Sequence, residues 1–241
     1  MGKSKAKPGS FTEAQIAEAA LAILRADGPQ ALSLRRVADA IGTYHVAVFR
    51  RCGGFDGLLD ICADHVASRF PIVDGSVDWA QATQLRFEAA YRMWADNVEL
   101  VLLMRGRAWQ GSNMLTRFYE PAMSTLLSTG MSAPEAANLF SILYRLTIGS
   151  VVAVMANPWT PSESRNAIES LGAENFPSLA KVASEVDISD IDAVFRSELG
   201  RLIEVLGPVG KSKPVRAVAN GASRRKSAGQ AAIRARGQTR K

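Results

Sequence analysis

Gly42 narrows the choice of fold more than any other residue. Before it, Leu34, Val37, Ala38 and Ile41 recur at helical spacing for only about two turns. After it, from about Tyr44 to Arg51, a second short helix turns Val48 and Cys52 inward. Helices this short do not persist alone in water and must be held by packing. A single glycine between them takes a turn conformation that costs other residues a Cβ clash, and so sets their crossing. Their packing partners are close in sequence. Thr12, with Gln15 three residues on, has the capping-box spacing and opens a helix whose inward face is Ile16, Ala19, Ala20, Ile23 and Leu24, stopped by Gly28-Pro29. Ser33 caps the next helix. Gly53-Gly54 leads into a longer fourth helix with the stripe Leu58, Leu59, Cys62 and Val66, closed by Pro71. Four helices within about sixty residues make a compact head.

From Asp78 onward the period stays helical, with no convincing alternation of strand type. The spacing predicts helices at about 78–95, 97–109, 113–129, 133–156 and 188–206. Residues 157–187, broken by Pro158, Pro161 and Pro177, are expected to be loop with one or two short helices. The fold class is all-α. Residues 11–56 form a three-helix head, joined through helix four to a helical body over 57–207. Residues 1–10 are polar and Lys-rich, and 208–241 are rich in Ala, Gly, Ser, Arg and Lys; both are expected to be disordered.

The formal net charge of +6 conceals a partition. Residues 1–70 carry +2, residues 71–207 carry −6, and residues 208–241 carry +10 with no acidic side chain. An acidic body between basic ends suits a protein that meets a polyanion only through its extremities. No uncharged apolar run reaches the roughly 18 residues of a membrane span. The opening MGKSKAKPGS lacks the apolar core of a signal peptide, so a cytoplasmic protein with no membrane partner is expected. Cys52 and Cys62 are the only cysteines, with just two His and no paired-Cys spacing, so neither a metal site nor a disulfide nor a cofactor is expected. No nucleophile–base pair or Gly-rich phosphate loop points to an enzyme.

The short helix, glycine turn and short helix from Ser33 to Arg51 have the form of a helix-turn-helix, which lays its second helix in the major groove while the first braces on the backbone. A different class fits the same composition: a nonspecific chromosome-binding protein whose basic tail displaces counterions, and which needs no ordered turn. The run ALSLRRVADAIG, the pattern of helix one and the aromatic Phe49 near the end of the recognition helix resemble the N-terminal domain of the tetracycline-repressor (TetR) family, over about residues 11–66 without a gap. Beyond residue 77 the match is weaker: Trp79 near the start of helix five, then LSTGMSAPEAANLF before a long helix, are similar to the family's regulatory domain.

The resemblance implies a DNA-binding transcriptional regulator, a repressor released from a palindromic, inverted-repeat operator on double-stranded DNA by a small-molecule effector. Residue by residue, it implies that Ser33 and Arg35 meet phosphates or a base edge, with Arg36 a second phosphate candidate. Thr43, Tyr44, His45 and Ala47 would face the groove. Phe49 stands where the family usually has Tyr and brings no hydroxyl; Arg51 stands where it often has His and is always charged. Phe55 stands where the family generally has Lys, so that phosphate contact is lost and the grip shifts to Arg50, Arg51 and the basic ends. The amides after Gly53-Gly54 remain available to an anion.

For the body, the resemblance implies a homodimer built by the helices at 133–156 and 188–206. One offers Leu139, Ile142, Leu143 and Leu146, with Gly149 and Ala153 for close approach; the other offers Ile191, Val194, Phe195, Leu199, Leu202 and Ile203. The same stripes fit a reading in which they face the chain's own core. An effector cavity is implied among Trp94, Met104, Trp109, Phe118, Tyr119, Met123, Phe140 and Tyr144, although any helical core is lined this way. Arg92, Arg105 and Arg145 are candidate polar anchors. Helix four, from Gly54 to Phe70, is the natural lever. An effector must favour the dimer shape whose recognition helices no longer meet successive grooves, about 34–36 Å apart.

Overall fold

The computed structural model describes residues 11–73, 76–104, 107, 109, 111–156, 163, 166–167, 170, 173–185 and 191–208. The basic arm at 1–10, the tail beyond Pro208, and Arg105 lie outside them. Helix α1 (Glu13–Asp27) opens on a reciprocal capping box: the Thr12 hydroxyl accepts the Gln15 amide at 3.2 Å, and Gln15 Oε1 accepts the Thr12 amide at 2.8 Å. Ile16, Ala17, Ala20, Leu21, Ile23 and Leu24 form its buried face, while Ala19 is half-buried at the edge. A 3₁₀ turn at Pro29–Ala31 leads to α2 (Leu34–Ala40), where the Ser33 hydroxyl accepts the Arg36 amide at 3.2 Å. Gly42 has φ +73°, in the left-handed region that disfavours any Cβ. Helix α3 (His45–Cys52) then closes on α2 around buried Val37, Ala38 and Val48.

Helix α4 (Phe55–Ala67) lies along α1 and buries Leu58, Leu59, Cys62 and Val66, as the spacing predicts. Its first turn runs hard against the end of α3: a Cβ on Gly57 would stand 1.7 Å from the Cys52 carbonyl oxygen.

In the body, α5 (Trp79–Ala95) starts at Asp78, whose carboxylate accepts the amides of Ala80 and Gln81 at 2.9 Å each. Helix α6 (Val98–Leu103) is much shorter than the predicted 97–109, because the Arg107 amide turns back onto the Met104 carbonyl at 2.8 Å. The next run is continuous but not uniform: α7 (Ser112–Met114), a π-turn (Leu115–Tyr119) and α8 (Glu120–Leu127). Pro121 accounts for the irregularity. It has no N–H for the carbonyl four residues back and its ring needs that carbonyl clear, so the coil widens and the Glu120 amide donates to Leu115, five residues back. Helix α9 (Ala133–Ala156) follows, then α10 (Pro177–Glu185) and α11 (Ile191–Leu206). Helix α10 is a short helix of the kind expected within 157–187, and Pro177 stands at its first position, where a missing N–H costs nothing.

Helix α5 is the hub of the body, packed against α8, α9 and α11, while α6 reaches under α1 and α4. One apolar cluster runs without interruption from Phe11 to Ile203, so head and body share a core. Tyr91 stacks on Phe195, centroids 4.3 Å apart. Burial pushes the Tyr91 phenol up to about 12, helped by its hydrogen bond to Asp192.

The stripes expected at a dimer interface divide. Leu139 and Leu143 on α9, and Phe195, Leu199 and Ile203 on α11, are buried in the chain's own core. This corrects their assignment, for periodicity marks a buried face without naming what buries it. Ile142, Leu146, Val194 and Leu202 are half-buried, Gly149 and Ala153 point outward, and the Ile191 side chain lies outside the described residues. By length and composition alone, Ala133–Ala153 is apolar enough to cross a membrane, yet only 33% of that stretch is buried. Val205 adds a side chain 75% exposed. This outward apolar remainder calls for a cover.

Candidate nucleic-acid interface and effector site

The head presents α3 edge-on to solvent. Tyr44, Val46 and Phe49 are 53%, 47% and 52% exposed, and His45 and Arg50 are exposed beside them, while Val48 alone on this helix is fully buried. Large apolar groups left in water on so short a helix mark a contact surface. Val46 was not singled out in the sequence, since a valine reads as core by type. Ala47 is half-buried and packs against the core. Thr43 is a correction: it was expected to face the groove, but it is 0% exposed and sits inside the turn, its amide donating to the Ala38 carbonyl at 2.8 Å.

Four arginines around the two short helices fall into two groups. Arg36 pairs with Asp27, and Arg51 donates to the Phe11 carbonyl at 3.4 Å. Arg35 and Arg50 are exposed and have no ion-pair partner among the described residues. Ser33 is exposed at the start of α2; its oxygen caps the helix, leaving its proton to donate. Phe55 is 37% exposed at the start of α4, an apolar side chain that cannot itself hold a phosphate.

In the body, the aromatic residues expected at an effector site come together. Trp94 meets Trp109, Phe118 and Tyr144 edge-on at centroid distances of 6.2, 5.8 and 5.3 Å. Phe118 and Tyr119 reach Phe140 at 5.7 and 5.6 Å. Met104 is buried with them, whereas Met123 is half-buried and outside the core cluster. The Tyr119 and Tyr144 hydroxyls are 3.5 Å apart, and burial together with that contact pushes the Tyr119 phenol well above its ordinary range. The π-turn carries Phe118 and Tyr119, and such bulges are frequent at functional sites. Two surface clefts, of about 360 and 550 Å³, lie elsewhere, and neither is lined by any of these eight residues. Of the proposed polar anchors, Arg92 is held in a surface pair with Glu88 at 3.5 Å and Arg145 is exposed.

Head and body are clasped through one ridge of α4 that sequence reading passed over. Asp56, Asp60 and Asp64 recur every fourth residue and so share a face. Arg107 reaches Asp56 at 3.0 Å and Asp60 at 2.8 Å. Asp64 accepts both the backbone amide and the side-chain amide of Asn113, each at 2.8 Å. Arg117, in the π-turn, donates to the Phe70 carbonyl at 3.3 Å. Helix α4 is thus bonded directly to the segment that carries the aromatic wall. Cys62 is buried and its thiol is pushed up to about 12 by burial, and burial also raises Cys52, so neither is an activated thiolate.

Among known proteins, the model of the tetracyclin repressor-like C-terminal domain matches residues 70–207. The chain is similar to ActR of Streptomyces coelicolor, with 26% identity to its apo structure over 83% of this chain and 96% of that one, TM-score 0.72. With ActR in complex with actinorhodin the identity is 27% over 82% and 97%, TM-score 0.70. A curated relative, the HTH-type transcriptional repressor DrrR1 of Streptomyces coeruleorubidus, is 24% identical over 149 residues, 61% of this chain. That match spans only about half of DrrR1, 55% of its length.

Proposed function

The chain belongs to the tetracycline-repressor family of transcriptional regulators, and from that premise we propose that it is a cytoplasmic homodimeric repressor, held on an inverted-repeat operator and released by a small molecule entering the body. The exposed face of α3 carries the reading. Tyr44 and His45 stand at the end of the helix that enters the major groove, Val46 suits a thymine methyl, and Phe49 offers apolar contact beside the backbone. Arg35 and Arg50, without ion pairs among the described residues, are the cations available to phosphates, while Arg51 and Arg36 are already engaged within the head. The outward apolar strip of α9 with the end of α11 is the surface for a second copy, an isologous four-helix contact. The repressor DrrR1 and the complex of ActR with actinorhodin support repression and a small-molecule signal.

Release follows from linkage: the effector must bind better to the dimer shape that no longer fits DNA. An effector that repacks Phe118 and Tyr119 moves the π-turn, and the Asp60–Arg107 and Asp64–Asn113 contacts carry that movement to α4 and hence to α3. Selection from random duplex DNA at about 0.15 M salt tests the reading, comparing the full chain with one ending at Gly207. Enrichment of one inverted repeat by both is the expected result. Binding without enrichment that disappears with the tail would replace the repressor by a nonspecific DNA-binding protein. The clasp makes its own prediction. Asp64→Ala should hold the selected operator within about threefold of wild type, yet respond about tenfold less to any compound that releases the wild-type dimer. Unchanged release in a fluorescence-anisotropy titration would remove the clasp from the pathway.

A further inference from the structure

Arg86 is the anomaly of the body. It sits on the inward stripe of α5 with Ala82, Ala90 and Trp94, and is only 5% exposed. Its Nη1 donates to the Thr125 hydroxyl at 3.2 Å, and that hydroxyl in turn donates to the Pro121 carbonyl at 2.8 Å. Among the described residues this is its one hydrogen bond, and no carboxylate pairs with it. Burial lowers the guanidinium to about 10, which leaves it charged at neutral pH. A cation removed from water without a counter-ion is strongly unfavourable, and an apolar side chain of similar volume would serve the packing better.

A second buried donor lies on the same helix. Trp94 Nε1 is completely buried and has no hydrogen-bond partner among the described residues, although buried indole N–H groups usually find one. Helix α5 runs antiparallel to the π-turn and α8, with Trp94 against Phe118 of the turn and Arg86 against Thr125 of α8. Between these two rungs come Ala90 and Ala122, the smallest side chains of the stretch, both buried. Arg86 and Trp94 are eight residues apart, so their backbone positions are separated by about 12 Å along the axis, roughly the length of a two- or three-ring aromatic molecule. One end of the site thus offers a charge, the middle offers small side chains and aromatic walls, and the far end offers a neutral N–H.

We infer that the effector is a planar aromatic acid, its anionic group paired with Arg86 and its rings displacing the edge contacts that Trp94 makes with Phe118 and Tyr144, with an acceptor for the Trp94 N–H. The assignment rests on the reading that the body receives a small molecule, and deepens it by naming the chemistry. A carboxylate matches the guanidinium fork in two parallel bonds, and in a dry site such a pair discriminates strongly against an uncharged analogue. The demand for an anion also explains why a residue so poor for stability stands at this position.

The test uses the full chain, titrated by calorimetry near neutral pH with 2-naphthoate and with its uncharged isostere 2-naphthamide. Wild type should bind the acid about tenfold or more tighter than the amide. Arg86→Met should lose that preference and keep amide affinity within about twofold, while Arg86→Lys restores part of it. The melting temperature of Arg86→Met should not fall, since it removes a buried charge that nothing neutralises. Equal affinity of wild type for both probes, or an acid preference that survives Arg86→Met, overturns the acid assignment while aromatic binding to the body stands. Binding of neither probe overturns the assignment and the effector site together. The wild-type comparison decides the matter even if both variants fail to fold.

Discussion

Alanine at His45 lowers affinity for the selected operator by about a hundredfold, while affinity for random duplex falls by less than about threefold. The argument starts from position. His45 opens α3, is exposed, and has Tyr44 and Val46 on either side, so it stands where the N-terminal residues of a recognition helix meet base edges. A direct contact of this kind discriminates between bases by about 1–3 kcal/mol. A homodimer reads each half-site once, so the loss is counted twice, and about a hundredfold corresponds to about 1.4 kcal/mol per half-site, in the lower part of that range. Nonspecific affinity comes instead from phosphates and is indifferent to His45.

Arg50→Ala is the matched control. It should weaken operator and random DNA alike and lower the dependence of log affinity on log salt by about 0.9 for each phosphate contact removed. A His45→Ala variant that behaved like Arg50→Ala would place the histidine on the backbone and take base reading away from the start of α3.

The head was legible because its determinants are local. The Thr12–Gln15 box, the Ser33 cap and the glycine turn each act over three or four residues, and all stand where the spacing puts them. Thr43 and Val46 show where locality ends. In a helix of eight residues, which side chain faces out depends on the crossing of α2 and α3, and neither residue type nor family position encodes that depth. The body repeats the lesson. Aromatic residues were gathered by type and do cluster, but Arg86 was passed over because a charged residue is expected at the surface. Its phase on α5, four residues from Ala82 and from Ala90 and eight from Trp94, was the available signal. The Asp56, Asp60 and Asp64 ridge is periodic as well, yet the partners that give it meaning lie about fifty residues away.

Gly57→Ala should unfold at a melting temperature lower by about 4–8 °C, although alanine is the better helix former. Propensity favours the substitution by about 1 kcal/mol. Geometry opposes it with more. The new Cβ would stand 1.7 Å from the Cys52 carbonyl oxygen and 2.9 Å from its carbon, and these are backbone atoms that no rotamer change can move aside. Relief requires α4 to back away from the end of α3, which opens the core around Val48 and Leu58. Overpacking of this kind costs about 3 kcal/mol, and each kcal/mol shifts the midpoint of a chain of this size by roughly 2–4 °C. Operator binding should fall further than stability alone explains, because the same corner sets the tilt of α3 in the groove. Binding measured at a temperature where the variant is fully folded separates the two effects. A variant that melts with wild type and binds like it would mean that the α3–α4 corner tolerates a shift of more than an ångström. In that case α3 would be oriented from the Gly42 turn alone, and the lever from the body would have to reach it through α1 and α2 rather than through α4.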